Sequence, residues 1–220
     1  MSDLYGETHR DFQDRQGTRA LADRLESLAH RELDANDRSF IEAASLFFLA
    51  TVDEKGRPTV SYKGGAPGFV RIVGPSQLMF PAYDGNGMFL SLGNISSTTH
   101  VGMLFIDFES PRRLRVQGTA TVSSDFPREM YPGARHVVRV DIEQAFVNCG
   151  RYIHRMQSNG LSPHLPDAAG RQPFPQWKRL DFIADALPES DQRKVEAAGG
   201  AVSVDAYRGE TDPDPRSPPA

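Results

Sequence analysis

Two groups of polar residues in the 220-residue chain have the types and spacing that suit an anionic, planar ligand. The first is Ser61 and Lys63, which the alternation of the segment PTVSYK places on one face of a strand. The second is the loop Asp84–Gly87 (DGNG), whose glycines permit positive φ angles and which leads into a segment with helical spacing. Hydroxyl, ammonium and backbone N–H groups at a helix start are the donors that a phosphate group prefers.

A third group lies on a long strand segment, RRLRVQ, in which alternation puts three polar side chains on one face: Arg113, Arg115 and Gln117. Together the three groups predict a binding site for a phosphorylated ligand with a planar ring. Each group also has an ordinary interpretation. Strand arginines often form a solvated outer face, and glycine-rich loops are usually simple hairpin connections.

The elements that must position these groups follow from the hydrophobic pattern. Residues 17–33 have helical spacing, with Leu21, Leu25 and Leu28 on one face, and Asn36 or Asp37 can cap a second short helix. The chain then changes to short β segments separated by turns, with one short helix predicted over Met88–Ile95. The predicted strands are Leu46–Val52, Pro58–Lys63, Phe69–Val73, Gln77–Ala82, Val101–Phe108, Arg112–Ser123 and Arg135–Val147. This succession predicts a small antiparallel barrel rather than βαβ units.

The predicted domain organisation has four parts. Residues 1–36 form an N-terminal helical arm, and residues 37–160 form the barrel domain. Residues 161–198 are rich in proline and contain the only tryptophan, Trp177, which predicts an extended arm. Residues 199–220 have almost nothing to bury, which predicts disorder.

Composition excludes several classes of function. The chain has 25 Lys+Arg against 29 Asp+Glu, a net charge of −4, and 39% hydrophobic residues. This acidic balance argues against a nucleic-acid binder. No apolar run is long enough for a membrane span, and the polar, acid-containing start MSDLYGETHRDFQDRQ resembles neither a signal nor a transit peptide, so we expect a cytoplasmic protein.

The histidines and the single cysteine give little sign of chemistry. His100, His136 and His154 are dispersed without a pair at metal-ligand spacing, so no metal site is predicted. Cys149 alone excludes an internal disulfide and any multi-cysteine zinc site. It precedes a predicted helix, Arg151–Met156, so it is either a reactive thiol at a helix start or a packed side chain.

The order of four segments carries a resemblance to a known family. They are FFLATVDEKGRPTVSYKGG, GFVRIVGPSQLMFPAYDGNG, SLGNISSTTHVGMLFIDF and RRLRVQGTATV. In this order they resemble the pyridoxamine 5′-phosphate oxidase-like family of FMN-binding split barrels, over about residues 38–155. The resemblance implies a mainly β fold, a six-stranded antiparallel split β-barrel with flanking short helices. It also implies a homodimer with FMN bound at the subunit interface.

The resemblance also implies which residues contact FMN. Phe80 and Pro81 would approach the flavin ring through their backbone. The loop lacks the basic phosphate ligands of the family, so Asn86 and backbone amides would replace them. The full set of implied cofactor contacts is Ser61, Lys63, Phe80, Pro81, Gly85, Asn86, Gly87, Arg113 and Gln117. The family's basic C-terminal segment for the substrate phosphate has no match in this chain, so vitamin B6 oxidation is not favoured.

Several functional hypotheses remain from the sequence. The first is an FMN-dependent oxidoreductase that passes hydride or electrons between the flavin and an unidentified small molecule, without an evident catalytic acid or base. The second is a protein that binds flavin, haem or another planar cofactor without turnover. A deazaflavin-dependent reductase and a dimeric barrel without any small-molecule site are further alternatives.

Overall fold

The structure is a computed structural model that describes residues 4–211. The chain divides into two compact units, residues 1–171 and residues 172–220, which are described separately. The boundary lies between the predicted limits at 160 and 198. The last nine residues of the predicted disordered tail, 212–220, lie outside the described residues, while residues 204–211 form a helix.

The first unit contains one antiparallel sheet of seven strands. These are β1 (Leu46–Val52), β2 (Pro58–Gly64), β3 (Arg71–Gly74), β4 (Gln77–Ala82), β5 (His100–Asp107), β6 (Arg112–Ser123) and β7 (His136–Asn148). The strand order β2-β1-β5-β6-β7-β4-β3 leaves β2 and β3 as unpaired edges. The expected six-stranded barrel is therefore wrong in strand number and closure, because the β3–β4 hairpin adds to β7 and no ladder joins β3 to β2. The mainly β, antiparallel class is confirmed.

Strand alternation creates a buried face and an outer face of this sheet. Phe47, Leu49 and Leu114 are at most 2% exposed and belong to one core cluster that includes buried residues of five strands. The Phe47 ring lies 5.0 Å from the ring centroid of Phe80 on β4. Because β4 and β1 are far apart in the strand order, this contact requires the sheet to curl around its core. We call the inner side the concave face and the outer side the convex face.

Four helices flank the sheet: α1 (Glu7–Arg15), α2 (Arg19–Glu26), α3 (Ala35–Ala43) and α4 (Leu90–Thr98). The cap of α3 is Asp34, whose carboxylate accepts the N–H groups of Asn36 and Asp37, so the cap lies before the two predicted positions. The leucine stripe on and after α2 is half or more exposed. Within residues 4–211, no helix is long and apolar enough to cross a membrane.

The predicted helix over Arg151–Met156 is wrong. The residues form a turn followed by extended chain. The N–H of Met156 donates to the carbonyl of Phe108 at 3.1 Å, so this backbone donor pairs with the β5–β6 turn instead of a helical partner.

The segment before α3 is attached to the edge of β7. His30 and Ala145 exchange two backbone hydrogen bonds, of 3.0 and 2.7 Å, and Leu33 N–H donates to the carbonyl of Pro75 at 2.9 Å. The His30 ring also pairs with the carboxylate of Asp37 on α3. These contacts place residues 30–33 beside β7 just beyond the point where its pairing with β4 ends.

A β-bulge interrupts the pairing of β6 with β7. Gln117 lies opposite Gln144, but the next residue, Gly118, lies opposite Ile142, so Glu143 is the extra residue on β7. Before the bulge the side chains of β7 that belong to the core cluster have even numbers, as at Ile142, and after it the member of the cluster, Ala145, has an odd number. The bulge therefore lets both halves of one long strand contribute to the same core.

The second unit is small and helical, where the sequence predicts an extended arm. A 3₁₀ turn (Gln176–Arg179) is followed by α5 (Asp181–Ala184), α6 (Glu189–Ala197) and α7 (Val204–Thr211). The buried ammonium of Lys178 contacts the Asp191 carboxylate at 2.7 Å. Burial would raise the pKa of Asp191, but hydrogen bonds from Lys178 and Lys194 outweigh it and lower the pKa. This ion pair joins the 3₁₀ turn to α6.

We expect Gly118→Ala to destabilise the first unit by about 1–3 kcal/mol or more. A Cβ at this position would lie 2.1 Å from the carbonyl oxygen of Asp141, and neither backbone can move without breaking the bulge. Urea denaturation followed by circular dichroism measures the change. Gly102→Ala on β5 is the control, because its Cβ would meet only the Ala50 Cβ, at an ordinary 3.7 Å. Equal midpoints for the two variants would contradict the prediction.

Candidate functional site

A cavity of about 460 Å³ opens beside the concave face of the sheet. The end of β2 lines one side of it, and the end of β4 with the start of β7 lines another. The loop 83–89 and the first turn of α4 form a third side. Seven of the nine predicted contact residues line this cavity: Ser61, Lys63, Phe80, Pro81, Gly85, Asn86 and Gly87.

The cavity has an apolar inner surface. Leu49, Phe69, Phe80 and Val138 all line it and are at most 6% exposed, and all four belong to the core cluster. The cavity is therefore a continuation of the space inside the curled sheet. Such a surface suits the flat, apolar faces of a ring system.

Lys63 is the half-buried cation of this cavity. It shares the inward face of β2 with Ser61, as the sequence predicts, while Val60 and Tyr62 on the other face are exposed. Its ammonium donates to the Ser91 hydroxyl at 3.2 Å, and no carboxylate among the described residues forms an ion pair with it. Burial lowers the pKa of Lys63 below its usual range. A half-buried ammonium without a counter-ion is suited to an anionic group of a ligand.

Polar side chains attach helix α4 to β1 and β2. Ser91, Asn94 and Thr98 lie on one face of the helix, at spacings of three and four residues. The Ser91 and Ser61 hydroxyls lie 2.8 Å apart, and the Thr98 hydroxyl donates to the Val52 carbonyl at 2.7 Å. We call this set of contacts the polar seam.

The centre of the polar seam is buried. Asn94 is 7% exposed, and its amide donates to the hydroxyls of Thr51 and Thr59 at 3.0 and 3.3 Å. These two threonines face each other across β1 and β2, with their hydroxyls 3.0 Å apart. The seam therefore fixes the position of α4 against the strand that carries Lys63.

The loop before α4 has an unusual backbone. Gly87 has a φ of 78°, and Phe89, the residue just before the helix, has a φ of 51° in the left-handed region. The Asn86 side chain accepts the N–H of Met88 at 3.1 Å, but no side chain caps the helix itself. The first N–H groups of α4 are thus available beside the cavity.

Sequence reasoning missed two basic residues of the cavity, Arg135 and His136, at the start of β7. His136 lies opposite Ala82 on β4, and this pairing brings Arg135 and His136 to the cavity. Their side chains make no hydrogen bond or ion pair to any described residue. The cavity therefore has basic groups on two sides, Lys63 from β2 and Arg135 from β7, in place of the missing loop cations.

Arg128 fixes the loop that leads to Arg135. Its guanidinium donates to the carbonyls of Ser124, Ala134 and Arg135, at 3.2, 3.1 and 3.3 Å. The buried hydroxyl of Tyr131 donates to the carbonyl of Met79 on β4 at 2.9 Å. These contacts make the loop a rigid support for one side of the cavity.

Arg113 and Gln117 do not line the cavity, so the expectation that all three polar groups meet within one chain is wrong. The two residues share a face with Arg115, as predicted, but strand alternation puts that face on the convex side, opposite the buried Leu114 and Val116. The Nε atom of Arg113 is buried without a hydrogen-bond partner among the described residues. The same is true of Oδ1 of Asn148, the residue opposite it on β7.

Other candidate chemistry is limited. Cys149 is an exposed free thiol. Among the described residues, no three His, Cys, Asp or Glu side chains are gathered in a way that could hold a metal ion. The cavity contains an ammonium, a guanidinium, an imidazole and hydroxyl donors above an apolar surface, so it can hold and orient an anionic ring compound.

Comparison with known proteins gives one family and several similar structures. The model of the family described as pyridoxamine 5′-phosphate oxidase matches residues 33–149, just over half of the chain. No curated protein matches the chain.

Three solved structures are similar to part of the chain. A candidate pyridoxamine 5′-phosphate oxidase from Lactobacillus delbrueckii is 27% identical, with a TM-score of 0.43, over 53% of this chain and 95% of that chain. HupZ from Group A Streptococcus is 17% identical, with a TM-score of 0.45, over 57% of this chain and 99% of that chain. HutZ, the haem storage protein of Vibrio cholerae, is 20% identical, with a TM-score of 0.39, over 53% of this chain and 94% of that chain.

We expect Asn94→Ala to lower the free energy of unfolding by about 1–3 kcal/mol, because it removes the buried amide donor to Thr51 and Thr59. Ser96→Ala is the matched control on the same helix. Ser96 is exposed and its hydroxyl donates only to the Leu92 carbonyl of its own helix, so we expect a change within about 0.5 kcal/mol. Urea midpoints measure both changes. An Asn94→Ala variant with an unchanged free energy of unfolding would show that the polar seam contributes no stability.

Proposed function

Because the chain belongs to the pyridoxamine 5′-phosphate oxidase family, we propose that it binds FMN in the cavity and acts as a flavoprotein oxidoreductase on a small molecule. The observation that supports this proposal most directly is the convergence of seven predicted contact residues on one cavity. They come from β2, β4 and the loop before α4, segments that are separate in the sequence.

The residues present fit FMN in chemistry and size. A volume of about 460 Å³ is in the usual range of about 300–1,000 Å³ for ligand sites. The ammonium of Lys63, which has no carboxylate partner among the described residues, and the available N–H groups at the start of α4 suit the phosphate. The apolar surface of Leu49 and Phe80 suits the ring system.

The residues of the chain would bind and orient the cofactor, and bound flavin supplies hydride or electron transfer by its own chemistry. Lys63 would hold the phosphate, and the Ser91 hydroxyl, itself hydrogen-bonded to Ser61, would fix the ammonium. Phe80 and Pro81 would approach the ring edge with their backbone. We assign no catalytic acid or base, and the substrate and electron donor stay open.

We also propose that the protein is a homodimer whose interface includes the convex face of β1, β2, β5 and β6. This face carries apolar side chains, of which Val60 and Tyr62 are 69% and 62% exposed. The buried, unpartnered Nε atom of Arg113 is also on this face. A second copy would cover these groups, and Arg113 and Gln117 would then contact the cofactor of the partner subunit.

Val60→Asp tests the interface, because it places a charge on the convex face. We expect the variant to sediment as a monomer where the unmodified protein sediments as a dimer. Val147→Asp is the control: Val147 is equally exposed, at 70%, but lies on the opposite face of the sheet, beside the buried Leu114. Dissociation by both variants, or by neither, would contradict the proposed interface.

The role of Lys63 is tested with two flavins, FMN and riboflavin, which lacks the phosphate. We expect Lys63→Ala to weaken FMN binding about tenfold to a hundredfold, as for the loss of one charge-assisted contact. Riboflavin binding should be nearly unchanged. Quenching of flavin fluorescence measures both dissociation constants, and Lys55→Ala, in the exposed β1–β2 turn, is the control.

The same assay has a defined pH dependence. The phosphate binds the protonated ammonium, so FMN affinity falls as pH rises through the pKa of Lys63. Because burial lowers that pKa, the loss begins at a lower pH than for a lysine in its usual range. Lys63→Arg should keep FMN affinity at high pH. Failure of the unmodified protein to bind either flavin at micromolar concentration would refute the proposed function.

One observation favours a second candidate, a haem-binding protein. His136 lines the cavity, and its ring makes no hydrogen bond to any described residue, so its imidazole would be the residue to hold haem iron. A Soret band on addition of hemin that is lost in His136→Ala, together with no flavin binding, would favour this candidate. Tighter binding of a deazaflavin than of FMN would instead identify a deazaflavin-dependent protein.

A further inference from the structure

Three large apolar residues in a row border the cavity and are exposed. Met88, Phe89 and Leu90 have 63%, 60% and 51% of their surface exposed, and all three line the cavity. Single exposed apolar side chains are ordinary, but a contiguous group beside a cavity usually marks a binding surface. Their exposure therefore needs an explanation that the core of the protein does not give.

The backbone of this segment is strained at one residue. Phe89 has φ 51° and ψ 25°, a left-handed conformation that crowds the Cβ of any residue except glycine. Gly87, two residues earlier, also has a positive φ, which glycine adopts at little cost. Such strain at a non-glycine residue is typical of ligand clamps and of segments that change conformation.

The segment is firmly held at both ends and lightly held between them. Before it, Ala82 pairs with His136 in the sheet, and after it, Ser91 is fixed by the polar seam. From residue 85 to 89, only two hydrogen bonds to described residues are present. One is Met88 N–H to Asn86, and the other is the helical bond that the Phe89 carbonyl accepts from Gly93.

We propose that residues 85–90 form a flap that closes over the ring of the bound ligand and buries Met88 and Phe89 against it. This inference rests on the proposed binding of a planar, flavin-like ligand. The ring is the favoured occupant because the flap lines the same cavity as Lys63, so a ligand anchored by its phosphate lies beside these side chains. Closure releases the strain at Phe89 and removes the apolar surface from water.

Hydrogen exchange of the full-length protein tests the closure. We expect the amides of residues 86–90 to exchange more slowly when the protein is saturated with riboflavin, which binds without the phosphate contact. The exposed turn at residues 53–56 should exchange at the same rate with and without riboflavin. Riboflavin binding without protection of the flap would overturn the proposal. Protection that depends on protein concentration and not on flavin would assign the surface to a second copy, and would overturn it too.

Substitution of Phe89 tests the contact with the ring. We expect Phe89→Ala to weaken FMN and riboflavin about equally, by about tenfold, as for the loss of one aromatic stacking contact. Phe12→Ala on α1 is the matched control, since Phe12 is 58% exposed and does not line the cavity. Equal affinities of the two variants would overturn the proposal. Failure of the unmodified protein to bind either flavin would refute the proposed function as well as the flap, whereas binding that ignores Phe89 refutes the flap alone.

A second pair of variants tests the strain without any ligand. If Phe89 is strained, Phe89→Gly unfolds at a higher urea concentration than Phe89→Ala, because only glycine adopts the left-handed conformation freely. Thr99, with φ 62° at the other end of α4 and outside the cavity, provides the calibration through Thr99→Gly and Thr99→Ala. If Phe89→Ala is as stable as Phe89→Gly while the Thr99 variants differ, no strain is stored in the flap and that part of the proposal is wrong.

Discussion

The hydrogen bonds that join α4 to β1 and β2 are the interaction on which the candidate site depends. Apolar burial of Ile95 holds the helix against the core, but burial is not directional and would permit the helix to rotate or slide. Asn94 is buried, and a buried amide without partners is costly, so it requires the hydroxyls of Thr51 and Thr59 at defined positions. The seam thus determines where the helix begins, and with it the position of Ser91 beside Lys63 and of the loop before it.

The cavity is assembled from parts of the sheet that are distant in strand order. Lys63 comes from the edge strand β2. His136 is the first residue of β7, four strands away, and Arg135 directly precedes it. Curling of the sheet around Phe47 and Phe80 brings these strands to opposite sides of one space. The same residues that stabilise the core therefore set the distance across the ligand site, so a change of core volume would also change the width of the site.

Much of this arrangement follows from the sequence, because β structure depends on local alternation and turns. The bounds of β1, β4 and β6 agree with the prediction, and Ser61 and Lys63 point inward as expected. Alternation at Arg113 correctly groups it with Gln117. Both residues miss the cavity because it lies on the other face of β6, the face that carries the buried Leu114.

The contribution of Arg135 is not accessible from local pattern, since it requires the pairing of β4 with β7, which are more than fifty residues apart. The attachment of His30 and Leu33 has a similar long-range origin, and it affects whether the edge of β7 can pair with other chains. The backbone exchange of His30 with Ala145 covers an edge of β7 that β4 leaves open. An uncovered strand edge is a template for pairing with other chains. Residues 30–33 therefore shield this edge from such pairing, and their removal would expose it even if every residue of the cavity stayed in place.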